Sequence, residues 1–220
     1  MYNYFEDKNY LREARRFCSD IIEDVQNEVR KQGVPCQYFL VGSGGRNLIT
    51  YLKNNREEVF IDFDYNLNIL PFDGRNDGFY LKEIVRKAFN KIWKSRFGKE
   101  GIQDSTSSLT SPYLILGTYK NVFLSIDLAI VALDGKDVWH RLIHNKIYGT
   151  YFWNKMSPRN EIIEKEKWLK ANNHWDGDDS VREKYLEKKN MYLSRNDHDH
   201  PSFVCFIETI NEVFQKYYLK

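Results

Sequence analysis

Between Val59 and Ile69 apolar and polar side chains alternate. Val59, Ile61, Phe63, Tyr65, Leu67 and Ile69 fall on one face, and Asp62, Asp64, Asn66 and Asn68 on the other. A helix would scatter these residues around its axis, whereas a strand sorts them into a dry side and a wet side. The chain must therefore build a sheet whose one face is packed and whose other face carries two carboxylates pointing the same way. The remaining segments are read around that requirement.

Upstream, residues 8–32 show apolar positions at three- and four-residue steps (Leu11, Ala14, Phe17, Cys18, Ile21, Ile22, Val25, Val29), which predicts a helix stopped by Gly33 and Pro35. Gln37–Val41 is a short apolar strand ending in Gly42-Ser43-Gly44-Gly45, and residues 46–54 read as a helix. Downstream, residues 71–78 form a turn-rich loop, 79–97 an amphipathic helix and 98–111 a polar loop. Residues 113–118 and 122–133 read as two strands around a turn at Tyr119-Lys120-Asn121, with Asp127 facing away from Val122, Leu124, Ile126, Leu128 and Ile130. Residues 136–156 are aromatic-rich and show no clear period. Ser157-Pro158 is a helix-start pair, and helices are expected over 158–172, 180–193 and 201–218. These elements imply an α/β chain: a small mixed sheet with helices over residues 1–135, followed by a helical region over 136–220.

The polar faces suggest a chemistry. Two hard divalent cations about 4 Å apart can stabilise the attacking and leaving oxygens of a phosphoryl centre together, and magnesium takes carboxylate and phosphate oxygens as ligands. Asp62 and Asp64 share a strand face, and Asp127 on a neighbouring strand could complete the cage. Burying Asp127 unpaired within Phe123–Val131 would be costly. The glycine turn allows close backbone approach to an anion, the Ser43 hydroxyl adds a donor, and Arg46 adds a planar cationic fork. The reading requires Asp127 to lie within about 10 Å of the Asp62/Asp64 pair, the reach of a two-metal cluster.

The ordered strings Val41-Gly42-Ser43-Gly44-Gly45-Arg46, Ile61-Asp62-Phe63-Asp64-Tyr65 and Ser125-Ile126-Asp127-Leu128 resemble the signature of the polymerase-β-like nucleotidyltransferase superfamily. The arginine three positions after Ser43 resembles the start of the antibiotic nucleotidyltransferases. The resemblance covers about residues 35–132. It implies that Asp62 and Asp64 bridge two magnesium ions and that Asp127 holds the catalytic ion and orients or deprotonates the nucleophile. It also implies that Gly42, Ser43 and Arg46 hold the β- and γ-phosphates of a nucleoside triphosphate. The segment 44–61 is longer than the family's usual spacing, and a longer helix plus the polar insert 53–58 is expected to absorb it. A nucleoside monophosphate would pass to an acceptor with release of pyrophosphate. A small-molecule acceptor suits the short tail, with RNA or protein as further possibilities. The competing class is a nucleotide- or partner-binding module without turnover.

Other features are weighed against this reading. A net charge of +2 gives no nucleic-acid footprint. Cys18, Cys36 and Cys205 form no CxxC pair, and their sparse use suits a reducing cytosol. No signal peptide or membrane span is read, so a cytoplasmic protein without membrane attachment is expected. Asp197-His198-Asp199-His200 reads as a polar loop before Pro201 rather than a hydrolase site, and Asp176, Asp178 and Asp179 as a solvated turn. His140 and His144 are four apart, as on one helix face, but no Glu follows the first to make a zincin motif. Tyr148, Tyr151, Phe152 and Trp153 are expected to pack between the core and the helical tail rather than stack a base. Lys120 and Lys146 are candidate phosphate contacts.

Overall fold

The computed structural model describes residues 1–52, 57–71, 77–157, 160–193 and 201–218. The strands are β1 (Tyr2–Tyr4), β2 (Cys36–Leu40), β3 (Thr50–Leu52), β4 (Val59–Ile69), β5 (Gln103–Asp104), β6 (Leu109–Thr110), β7 (Val122–Leu133), β8 (Trp139–Asn145) and β9 (Thr150–Lys155). The helices are α1 (Lys8–Lys31), α2 (Gly42–Arg46), α3 (Gly78–Phe97), α4 (Asn160–Ala171), α5 (Val181–Tyr192) and α6 (Ser202–Tyr218). The fold is mixed α/β, as the element order implied.

The chain divides into two compact units, each discontinuous in sequence. The larger comprises Glu6–Asn47 and Glu58–Ser157, and the smaller comprises Met1–Phe5, Leu48–Glu57 and Pro158–Lys220. The expected boundary near residue 135 thus falls inside the larger unit.

In the larger unit β4 and β7 run parallel over their whole lengths, from Val59↔Val122 to Ile69↔Ala132. The antiparallel β2 flanks β4. The far edge of β7 is shared, with β6 pairing at Leu109 and Thr110 and β8 at Trp139–Arg141. Beyond them lie β5 and β9. The dry face of β4 (Ile61, Phe63, Tyr65, Leu67, Ile69) is buried, as are Leu124, Ile126, Leu128 and Ile130 of β7. The inward stripe of α1 (Ala14, Cys18, Ile21, Ile22, Val25, Val29) and Val85, Ala88, Phe89 and Trp93 of α3 complete this unit's core. Asp7 caps α1, its carboxylate accepting from the Asn9 and Tyr10 amides at 3.0 and 2.9 Å.

In the smaller unit β1 pairs antiparallel with β3. Leu48 joins Leu169, Trp175, Val181, Tyr185, Cys205, Phe206, Ile210 and Val213 in one buried cluster. Lys189 Nζ donates to Thr50 Oγ1 at 2.7 Å, and Tyr2 N to Asn190 Oδ1 at 2.6 Å.

Several local expectations are corrected. The helix expected over 46–54 is absent: α2 ends at Arg46 because Asn47 takes a left-handed conformation (φ 58°), and Thr50–Leu52 pairs with β1 instead. The extra length between Ser43 and Asp62 is therefore taken up by a strand and its flanks rather than a longer helix. Residues 53–56 of the polar insert lie outside the described residues. Residues 113–118 make only a bridge, Leu114↔Leu124, whereas the polar stretch 98–111 supplies β5 and β6. The unassigned stretch 136–156 is a hairpin added to the sheet. His140 and His144 lie on that strand rather than on a helix.

Candidate active site

The parallel alignment of β4 with β7 places Asp64 directly beside Asp127, and Asp62 beside Ser125. One oxygen from each of Asp62, Asp64 and Asp127 lies within 4.8 Å of the others, well inside the reach required above. Asp62 is exposed, and Asp64 and Asp127 are partly buried. Two full charges at that separation repel by roughly 3 kcal/mol at an effective dielectric near 20, before solvent screening. A bound cation would offset that repulsion. The donor set is all carboxylate oxygen, which fits a hard divalent cation and not a thiophilic one.

The glycine turn is built against this cluster. Val41 N donates to Asp64 O at 2.8 Å, joining the end of β2 to β4. Gly42 has φ +64°, and a Cβ there would collide with the Asp64 carboxylate, so the position excludes any side chain on two counts. A Cβ on Gly44 would stand 2.7 Å from the Phe63 ring. Arg46 turns back, Nη1 donating to Gly42 O at 3.2 Å. Arg15, from α1, holds the turn from behind, its Nη2 donating to Gly44 O at 2.9 Å and to Asn47 Oδ1 at 2.7 Å.

Sequence reasoning did not single out two further residues, one bonded to the cluster and one a charged neighbour felt by Asp64. Thr110 is paired with Asp127 across β6 and β7, and its hydroxyl donates a short hydrogen bond to Asp127 Oδ1. The only sequence signal was a Leu-Thr pair inside a serine-rich stretch. Arg141 of β8 is mostly buried, and its Nε has no hydrogen-bond partner among the described residues. Burial pulls its guanidinium below the ordinary arginine range, and the nearby Asp64 charge opposes that shift.

The remaining candidates lie elsewhere. Lys120 is exposed just before β7, and Lys146 is exposed in the β8–β9 turn. His140 Nε2 pairs with Asp134 Oδ2 at 3.0 Å, and His144 Nδ1 with Asp104 Oδ2 at 2.7 Å. Tyr151 stacks on His144 with ring centres 4.2 Å apart, a packing role, while Tyr148 is exposed. Asp176 pairs with Arg182 and Asp179 with Lys216, as expected of a solvated turn. The Asp197–His200 string lies outside the described residues. Among the described residues, no helix is long and apolar enough to cross a membrane.

The chain matches no protein-family model and no curated protein. It is similar to solved structures of Vibrio cholerae DncV bound to 3'-deoxy ATP (15% identity, TM-score 0.54), covering 91% of this chain and 52% of that one. Escherichia coli MS115-1 CdnC with ATP gives 13% identity and a TM-score of 0.54, with coverage of 93% and 61%. Escherichia coli DncV with 3'-deoxy GTP gives 13%, 0.52, 91% and 52%. The chain thus spans about half the length of the DncV structures it matches. At these identities the likeness concerns the fold.

Proposed function

Starting from the polymerase-β-like nucleotidyltransferase fold that this chain shares with DncV and CdnC, we propose that it transfers a nucleoside monophosphate from a nucleoside triphosphate to an acceptor. The observation that carries the reading is the meeting of Asp62, Asp64 and Asp127 beside the Gly42 turn. The neighbours were captured with ATP, 3'-deoxy ATP or 3'-deoxy GTP, and another DncV structure is described as a di-nucleotide cyclase with GTP. That supports a nucleoside triphosphate as donor here.

Asp62 and Asp64 would hold two divalent cations, magnesium by preference, and Asp127 would share the catalytic one. Bound there, the ions would supply charge stabilisation to the attacking and leaving oxygens. Gly42 and Ser43 receive the β- and γ-phosphates through the backbone and the hydroxyl, and Arg46 braces the turn toward the same anion. The acceptor hydroxyl oxygen bonds to the α-phosphorus as the bond from that phosphorus to the bridging oxygen breaks. The electron pair of that bond leaves with pyrophosphate. Asp127 orients the hydroxyl and takes its proton for release to solvent, while Thr110 fixes the carboxylate's rotation through its hydrogen bond.

The test is incubation of the protein with each α-labelled triphosphate, magnesium and candidate acceptors, beside Asp127→Asn. Wild type should release pyrophosphate and move the label. The variant should lose about 10²- to 10⁴-fold in turnover while still binding triphosphate. Binding without label transfer by wild type would identify a nucleotide-binding module instead.

A further inference from the structure

Lys82 is buried where a lysine adds little by packing. It lies in the second turn of α3, on a helix whose inner stripe is otherwise mostly apolar, and is only 2% exposed. Its ammonium group meets two residues of one short hairpin. Nζ lies 2.6 Å from Asp104 Oδ1 and donates to Ser105 O at 2.7 Å. From β8, His144 holds the same hairpin at two more points. Its Nδ1 pairs with Asp104 Oδ2 at 2.7 Å, and its amide donates to Thr106 O at 2.8 Å. The His144 ring is in turn set by its stacking on Tyr151. Burying a lysine is costly, and apolar residues in place of a buried ion pair often serve stability as well or better. What the pair supplies here is a fixed geometry for the segment it grips.

That segment is the β5–β6 hairpin. Its strands are two residues each, too short to hold a register alone. It pairs with β7 at Leu109↔Leu128 and Thr110↔Asp127. Asp104 stands opposite Leu109, so the ion pair grips the packed side of the sheet. Thr110, the next residue along the strand, therefore emerges on the open side. There its hydroxyl bonds Asp127 Oδ1. Ser105, whose carbonyl Lys82 holds, also approaches Thr110, with Oγ 3.4 Å from Thr110 Oγ1. One line of contacts thus runs from Lys82 through Asp104 and Ser105 to Thr110, and ends on a carboxylate of the acidic cluster. Groups in a metal or catalytic centre must be held within about 0.5 Å of their working positions. A two-residue strand meets that tolerance only when something rigid holds it.

We infer that Lys82 and Asp104 are positioning residues for Asp127. Their ion pair, with His144, clamps the β5–β6 hairpin so that Thr110 presents the Asp127 carboxylate to a cation in one orientation. The catalytic consequence rests on the nucleotidyltransferase reading and deepens it, and the metal-binding consequence is measured without turnover.

The experiment titrates the full chain with manganese alone, as wild type, Lys82→Met, Thr110→Val and the double variant. Wild type should bind manganese at the carboxylate cluster, with Asp64→Asn abolishing that binding. Each single variant should lose about tenfold in manganese affinity, the low end of what partners of metal ligands contribute. The double should lose no more than about threefold beyond Thr110→Val, because both changes act through one contact. Val29→Ala, which opens a cavity beneath α1, should stay within about threefold of wild type. A loss there equal to that of Lys82→Met would mark general loosening and overturn the inference. So would losses that multiply in the double, or a Lys82→Met that binds as tightly as wild type. If Lys82→Met does not melt cooperatively, Asp104→Asn enters the same cycle and decides by the same criteria. Absence of manganese binding by wild type would also end the inference, leaving nothing for the clamp to orient. Turnover separates the two readings. Coupled manganese losses without pyrophosphate release by wild type would bring down the nucleotidyltransferase reading and keep the clamp, whereas transfer with uncoupled losses would do the reverse. Where transfer is seen, Lys82→Met should lower kcat about tenfold with KM for the triphosphate within about threefold.

Discussion

Gly42 joins the two halves of the proposed chemistry at a single Cα. Its left-handed backbone shapes the turn, and its missing side chain leaves room for the Asp64 carboxylate. Gly42→Ala should therefore displace both the backbone proposed to bind phosphate and Asp64, a proposed metal ligand. We expect triphosphate binding and metal affinity to fall together by at least about tenfold, from a backbone penalty of order 1 kcal/mol plus the collision. Parallel titrations with manganese and a non-hydrolysable triphosphate would show it, and loss of one affinity alone would contradict the coupling. The three aspartates were legible in sequence because a strand's two-residue period assigns each to a face without knowledge of its partners. Gly42 was legible as a turn, but not as the residue that touches Asp64, since that contact depends on how β2 ends against β4. Arg141 was not legible at all. Its strand mixes Trp139, His140, Arg141 and His144 with Leu142 and Ile143, so neither face is uniformly apolar. The available signal was the turn after it, where Asn145 accepts from the Ile147 amide at 3.1 Å and Gly149 is left-handed.

At the level of elements, the β7–β8 hairpin delivers Arg141 and depends on Asp134. The Asp134 carboxylate accepts from His140 Nε2 at 3.0 Å and from the Lys136 and Val138 amides at 2.8 and 2.9 Å. The His140 contact, then the two amides, bring the Asp134 pKa down to about 2. Because the folded value is depressed, the stabilisation is present above the unfolded aspartate value near 4 and is lost as pH falls through about 2. Asp134→Asn should therefore lower stability at pH 6, with a difference from wild type that shrinks between about pH 4 and pH 2. Chemical denaturation across that range measures it, and a constant difference would contradict the assignment. The hairpin also shows where element prediction failed. β1, β5 and β6 are two or three residues long; β1 rests on β3 and β6 on β7, while β5 pairs with the equally short β6, so no alternating pattern is long enough to announce them. The long helices α1, α3 and α6 were legible because their buried stripes repeat over several turns.

For the molecule as a whole, like charges gathered without a cation reduce stability, and whatever ion binds them restores it. Magnesium with a non-hydrolysable triphosphate should raise the melting temperature, by about 2.7 kcal/mol of stabilisation at a hundredfold excess over Kd. The increment should vanish in Asp64→Asn, and differential scanning calorimetry of both proteins would record it. An equal increment in the variant would place the ion elsewhere. The division into units was the least legible feature. β1 and β3 join the C-terminal helices in one cluster, and a composition shift near residue 135 cannot reveal that Met1–Phe5 and Leu48–Glu57 belong with residues 158–220.

The in-step pairing of β4 with β7 carries one more consequence. A slip of a single position would leave the backbone hydrogen bonds available but rotate Asp62 and Asp64 into the core and expose Ile61 and Phe63 to water. A wrongly zipped chain would lack the three-carboxylate cluster and would be sticky instead. Correct strand alignment and the assembled carboxylate cluster are thus inherited together or lost together, so quality control that senses greasy surface also removes chains without the cluster.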